Sequence, residues 1–237
     1  MDWTGLAAST WDDLHSERSA DHDFYLGLIK SNPGKVLDVG CATGRLLVPY
    51  LAEGIDIEGM DSSSDMLALC GQKIERLGLE TALYQGSMQT LDPPSVYTTI
   101  IVPGGSFQLV ADRDEAAETL LRFHSHLEPS GVVAISLDDA WAELTDYNPG
   151  QRIRSERVQL SDGTELLHDR MLISLSRAEQ MSTTRLRYRV VENGQVISEE
   201  TFDMTMRCYF KHEMELMLRI AGFQDVEWSE FICTARK

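Results

Sequence analysis

The sequence predicts an α/β protein: a largely parallel sheet whose strands alternate with helices, followed by an inserted antiparallel β meander. Three observations point there. Short apolar runs (VLDV, IEGM, TTIIV, VVAISL) alternate with segments of helical period. After Asn148-Pro149-Gly150 the pattern switches to strand-turn-strand, with Asp-Gly and Asn-Gly at two turns. Small residues stand at alternate positions, Gly40, Ala42 and Gly44, just where the first strand gives way to its helix.

The elements follow in order. Residues 21–30 (DHDFYLGLIK) read as a short helix with Leu26, Leu28 and Ile29 as its apolar face, broken by SNPG. Residues 35–39 form a buried strand, 43–52 a helix, 56–60 a second strand and 64–77 a second helix, with Ser62 to Ser64 available to cap it. Leu83 and Tyr84 mark a third strand, 98–102 a fourth, 114–127 a helix ended by EPSG, and 132–137 a fifth strand. The meander comprises RIRSERVQL, TELLHDRMLISLS, TTRLRYRVV and QVISEETFDMTMRCYF, the first pair joined through Ser161-Asp162-Gly163 and the last through Glu192-Asn193-Gly194. Residues 211–221 return to helix, Gly222 caps it, and DVEWSE and FICTARK finish as two strands. The predicted organisation is an N-terminal helical lid (1–30), an α/β domain (31–148 and 211–237) and an inserted β subdomain (149–210).

Composition narrows the function. With 21 Lys and Arg against 38 Asp and Glu, the net charge of −17 repels phosphate backbones and anionic membranes, which argues against nucleic acid and membrane partners. The N-terminus lacks a basic leader and an apolar core, so no signal peptide is expected. Cysteines at 41, 70, 208 and 233 have no CxxC spacing. Reduced thiols, a cytoplasmic location and no metal site are expected.

The turn after the first strand decides the ligand class. Gly40, Ala42 and Gly44 let a ligand lie against the backbone at a helix N-terminus. The spacing is GxAxG, not the GxGxxG of a dinucleotide site, and no GK[ST] of a P-loop is present. Asp61, 21 residues after Gly40 and at the end of the second strand, can reach two vicinal hydroxyls of a ribose; its structural alternative is to cap the next helix.

VLDVGCATGR followed by GMDSSSDML resembles the class I S-adenosylmethionine-dependent methyltransferases, whose first motif is VLDxGCGTG. YQGSMQTL resembles their QGDM-xx-L motif, TTIIVPGGSFQLV their fourth strand in small-molecule members, HLEPSGVVAISL their helix-to-fifth-strand junction, and ELMLRIAGF their closing helix. The resemblance covers about three quarters of the chain in the expected order. It implies a Rossmann-like seven-stranded sheet and S-adenosylmethionine as cofactor. The activity implied is methyl transfer to oxygen or nitrogen of a small-molecule acceptor. Ala42 and Ser87 depart from the family's glycine and aspartate.

The resemblance and topology together assign candidate contacts. Gly40, Cys41, Ala42 and Gly44 line the turn, with Asp38 toward the amino-acid end. Asp61 and Ser62 take the ribose side. Met66, a core methionine in the alternative reading, with Ser87 and Met88 flanks the adenine. Val102, Pro103 and Gly104 face the methionine end, and Tyr25 closes over the cofactor or simply packs. Asp138 and Asp139 are candidates to orient or deprotonate the acceptor, against a reading as solvated loop carboxylates. Trp11, Phe107, Trp141, Arg152 and Tyr209 are substrate-side candidates. The meander is either a lid over the acceptor or a homodimer surface. Two other readings stay open: a nicotinamide-dependent oxidoreductase, and a non-catalytic relative that dimerises through the meander.

Overall fold

The computed structural model describes residues 3–15, 21–144 and 146–237. The parts of the expected N-terminal lid at 1–2 and 16–20 lie outside the described residues. Three helices open the chain, α1 (Gly5–Ser9), α2 (Trp11–Leu14) and α3 (Asp21–Ser31). Then come β1 (Val36–Val39), α4 (Leu47–Ala52), β2 (Ile57–Asp61), α5 (Ser64–Arg76), β3 (Leu83–Gln85), β4 (Tyr97–Val102), α6 (Arg113–His126) and β5 (Leu127–Ser136). A short helix α7 (Ala140–Leu144) leads into β6 (Arg152–Gln159), β7 (Glu165–Ser176), β8 (Met181–Glu192) and β9 (Gln195–Arg207). The remaining elements are α8 (Lys211–Ile220), β10 (Gln224–Ser229) and β11 (Ile232–Arg236).

Seven strands form one sheet in the order β10-β11-β5-β4-β1-β2-β3. The five strands β1 to β5 run parallel, and β11 is antiparallel to both β5 and β10. Every residue of β1 and β2 is buried, as expected of strands covered on both faces. One face packs on α6 and α8 through Phe123, Leu120, Met214 and Leu218. The other packs on α3, α4 and α5 through Tyr25, Ile29, Leu47, Tyr50 and Cys70. The chain steps from β1 outward to β3, then crosses back to β4 on the other side of β1. That reversal opens a crevice at the carboxyl ends of β1 and β4.

The four strands β6 to β9 form a separate antiparallel sheet, paired in chain order. Its β8–β9 hairpin closes on Asn193 and Gly194, both at positive φ (50° and 78°), the geometry a two-residue turn of this hand requires. One face of the sheet carries Leu166, Leu186, Tyr188 and Phe202 and packs on Trp3, Leu6, Ala7 and Leu14 of the N-terminal helices. The opposite face is laced with ion pairs, Arg185–Asp203 (2.7 Å) and Arg187–Glu199 (2.7 Å).

Two boundaries differ from the sequence reading by four residues or more. Helix α4 starts at Leu47, not at 43, because Gly40, Ala42 and Gly44 take φ of 77°, 49° and 86°, which no right-handed helix accepts. Strand β5 starts at Leu127, not at 132. Leu127 already pairs with Tyr97, and EPSG loops out, with Ser130 at φ 66°, before Val132 pairs with Thr99. Helices α1 and α2 fall within the stretch expected as a helical lid but were not placed individually, and α7 was not expected.

Candidate functional site

The crevice is built on the backbone that follows β1. Gly40 and Cys41 both donate N–H bonds to the Met60 carbonyl (2.8 and 3.0 Å), which locks the turn to β2. A side chain at Gly40 would strike the Ser106 hydroxyl at 2.8 Å, so the loop after β4 closes tightly over it. At Gly44 a side chain would strike Val48 (2.6 Å) and the Cys70 thiol (2.8 Å). Gly44 therefore lets the turn pack on α5. Cys41 is buried, with its thiol beside Cys70 and its pKa pushed well up by that contact and by burial, so only its backbone is offered to the turn.

Asp61 ends β2. Its two carboxylate oxygens accept N–H bonds from Ala42 and Ser63, both at 2.9 Å. The side chain thus fixes the turn after β1 and the start of α5 at once. Ser63, not Ser62, is the N-cap of α5, its hydroxyl accepting from Met66 N–H (3.2 Å).

Asp38, on β1, is almost fully buried, and its Oδ1 has no hydrogen-bond partner. Burial pushes its pKa up to about 7; Asp61 and Asp21 add to the rise, and Arg45 opposes it. Arg45 itself is held by Asp21 in a bidentate pair (2.9 and 3.0 Å). A crevice rich in carboxylates, with its arginine engaged by another carboxylate, suits a cationic group and disfavours a pyrophosphate. An ammonium beside Asp38 would satisfy the orphaned oxygen and bring its pKa down. The residues present therefore fit the amino-acid end and sulfonium of S-adenosylmethionine.

The other candidates fall into three groups. Met66 is buried on α5, Met88 packs against the core, and the Ser87 hydroxyl pairs with that of Thr90 (3.1 Å). Val102 and Pro103 are buried at the end of β4, with Gly104 exposed beyond them at φ 63°. Tyr25 is fully buried between α3 and the sheet, and its hydroxyl has no hydrogen-bond partner. Burial raises that hydroxyl's pKa.

On the acceptor side the structure separates two adjacent carboxylates. Asp139 Oδ1 accepts from Ala142 N–H (3.0 Å) at the start of α7. No hydrogen bond or ion pair among the described residues engages the Asp138 carboxylate. Its backbone is clamped instead: Gln108 accepts from Asp138 N–H (2.6 Å) and donates to its carbonyl (3.1 Å). Asp138 is exposed to solvent, and crowding by the surrounding protein still raises its pKa; Glu143 adds to the rise and Arg170 opposes it. Trp141 and Tyr209 join Asp138 and Asp139 around a cavity of about 460 Å³. Phe107 and Arg152 are placed elsewhere. Phe107 is fully buried in the core against Phe123 and Tyr209, and Arg152 pairs with Asp169 (3.4 Å) on the meander.

Trp11 belongs to a cover over the crevice. Its ring meets Trp3 edge-on (5.0 Å) and stacks on His15 (4.0 Å). Asp12 accepts from the Thr43 hydroxyl (2.7 Å) and pairs with Lys73 (2.6 Å), tying α2 to the turn after β1. Gly5 N–H donates to Asp65 (3.0 Å), Leu6 N–H to Glu200 (2.7 Å), and the Ser63 hydroxyl to the Trp3 carbonyl. Asp12 and Glu200, and the clamp that Gln108 puts on Asp138, escaped the sequence reading. Each binds a residue at least 30 positions away, and no local motif marks such a contact. Among the described residues no group of His, Cys, Asp or Glu is placed to hold a metal ion. No helix among them is long and apolar enough to cross a membrane.

Comparison with known proteins agrees with this geometry. A family described as "Methyltransferase domain" matches residues 36–131, from β1 into the loop of β5. The chain is 30% identical over 131 residues to a glycine/sarcosine N-methyltransferase of Halorhodospira halochloris, covering 53% of this chain and 49% of that protein. It is 27% identical over 157 residues to the dTDP-3-amino-3,6-dideoxy-alpha-D-glucopyranose N,N-dimethyltransferase of Streptomyces fradiae, covering 63% of this chain and 58% of that protein. These alignments span about half the length of each relative. In fold, the crystal structure of Streptomyces venezuelae DesVI superposes with a TM-score of 0.79 at 20% identity, over 98% of this chain and 99% of that one. The nicotinamide reading is set aside by the family match and by a crevice chemically wrong for pyrophosphate. The turn at Gly40, the carboxylate at Asp61 and the strand order thus accompany a stretch, residues 36–131, that is similar to methyltransferase domains.

Proposed function

We propose that the chain transfers a methyl group in line to the nitrogen of a small-molecule amine. The observation that carries this reading is the orphaned, buried Asp38 oxygen in a carboxylate-rich crevice, which calls for a cationic ligand. The choice of nitrogen rests on the two relatives named above, both N-methyltransferases of small molecules. S-adenosylmethionine supplies an electrophilic methyl carbon on a sulfonium leaving group. The protein's work is then alignment and exclusion of water.

Each part has an assigned task. Asp38 takes the amino-acid end, and Asp61 with Ser62 the ribose hydroxyls. Met66, Ser87 and Met88 take the adenine side. The backbone of Gly40, Cys41, Ala42 and Gly44, with Val102, Pro103 and Gly104, shapes the floor beneath the reacting carbon. Helices α1 and α2, braced between Thr43, Asp65 and Glu200, act with the four-stranded sheet as a lid. The ion-paired outer face of that sheet favours the lid role over a tight subunit interface, which would be more apolar.

Calorimetric titration with S-adenosylhomocysteine tests the cofactor assignment. Asp61→Ala is expected to weaken binding at least about tenfold, ~1.4 kcal/mol. Equal affinity for wild type and variant would remove Asp61 from the ribose site.

A further inference from the structure

The cavity beside Asp138 has a distinct chemistry. Five aromatic side chains line it: Trp141, Tyr209, Phe210, Trp228 and Phe231. The polar handles of two of them are committed elsewhere. The Tyr209 hydroxyl donates to the Val110 carbonyl (2.7 Å), and Trp228 Nε1 donates to Glu215 (3.0 Å). Trp141 and Phe210 lie nearly parallel, 13° apart with centroids 6.3 Å apart. Phe210 and Phe231 are more than half exposed, an arrangement an isolated surface does not favour. The cations nearby sit on ring faces: Arg177 lies 5.9 Å from the Trp141 centroid and Lys211 5.0 Å from that of Trp228.

The polar end of this cavity is the Asp138 carboxylate. A side chain at Gly105 would strike its Oδ2 at 2.8 Å, so the carboxylate lies against the loop that follows Pro103 and Gly104. Gln108, fully buried, holds the Asp138 backbone from that same loop and also donates to the Arg207 carbonyl at the end of β9 (3.3 Å). One amide therefore fixes Asp138 relative to the sheet, the crevice and the meander together.

From this arrangement we infer that the cavity is the acceptor subsite, that the acceptor is an amine carrying a planar apolar ring, and that Asp138 faces its nitrogen. The inference rests on the methyltransferase reading above and names the substrate class of that site. A volume of about 460 Å³ suits a ring with a short side chain. The neutral amine donates its lone pair to the methyl carbon as the carbon–sulfur bond breaks, its electron pair staying on sulfur. The positive charge lost from sulfur arrives on nitrogen, and no proton moves in that step. Asp138 stabilises the arriving charge. This separates it from Asp139, whose side chain is occupied in starting α7.

The test uses the full chain saturated with S-adenosylhomocysteine. Its binding is measured first, by calorimetry, on wild type, Trp141→Ala, Phe231→Ala and Asp138→Asn. Failure of the wild type to bind it sinks the cofactor assignment, whereas retained binding shows each variant folded. Intrinsic tryptophan fluorescence, to which Trp141 and Trp228 contribute, then follows titration with 2-phenylethylamine, 2-phenylethanol and ethanolamine. Saturable binding of 2-phenylethylamine is expected, at least about tenfold tighter than that of ethanolamine, and weakened by Trp141→Ala and by Phe231→Ala. Asp138→Asn should weaken 2-phenylethylamine and leave 2-phenylethanol unchanged, a split that a purely structural role would not produce. The subsite is refuted if a cofactor-loaded protein fails to bind 2-phenylethylamine, binds ethanolamine equally well, or is indifferent to both aromatic deletions. Equal weakening of amine and alcohol by Asp138→Asn removes Asp138 from the nitrogen.

Discussion

Ala42 holds a left-handed backbone (φ 49°) at the position where the family motif has glycine. An alanine there costs roughly 1 kcal/mol, which glycine would relieve. Ala42→Gly should therefore raise the melting temperature by about 2–4 °C, read by calorimetry. Asp38 makes a stronger prediction. Its pKa is about 7 in the folded chain against an ordinary 3.8, so between those values the native state holds a proton that the unfolded chain has lost. Stability of the cofactor-free protein must fall as pH rises through that window. Melting at pH 5.5 and at pH 8 should show the drop, and Asp38→Asn should flatten it. The same variant should weaken cofactor binding at pH 8, since the ammonium loses its carboxylate. Gly40 and Asp61 were legible in the sequence because their spacing is local and repetitive. The unpaired Asp38 oxygen was not, since a missing partner is a property of packing.

The elements divide in the same manner. Strands β1 to β5 and the two hairpins of the meander could be read directly, from apolar runs and from Asp-Gly and Asn-Gly. Helices α1 and α2, of five and four residues, could not. They are too short to be stable alone, and their apolar residues make sense only against Leu166, Tyr188 and Phe202, more than 150 positions away. Asp12 holds α2 to the turn after β1, and Glu200 holds α1 to the meander. Replacing both with alanine should loosen the cover without disturbing the main sheet. The expected result is faster release of S-adenosylhomocysteine, by about tenfold in stopped-flow, with faster proteolysis ahead of α3. An unchanged release rate would show that α1 and α2 do not gate the crevice.

At the scale of the molecule, the net charge of −17 is the dominant long-range quantity. Carboxylates repel one another across the surface, and that repulsion is screened as the Debye length shrinks to about 10 Å near 0.1 M salt. The melting temperature should rise when ionic strength goes from about 20 to about 200 mM, by differential scanning fluorimetry. A flat response would mean that the ion pairs of the meander already offset the excess.

The cover on the crevice also imposes an order of assembly. Residues 5–14 leave the ribosome early, but the surfaces that hold them are supplied by Thr43, Asp65 and Lys73 and, much later, by residues 166–204. Until residues 166–204 have emerged, Trp3 lacks the meander face on which it packs, although Thr43, Asp65 and Lys73 are already present. The nascent chain therefore carries an uncovered indole until the meander is made, so a holdase that shields this segment should improve yield more than one acting on the folded chain.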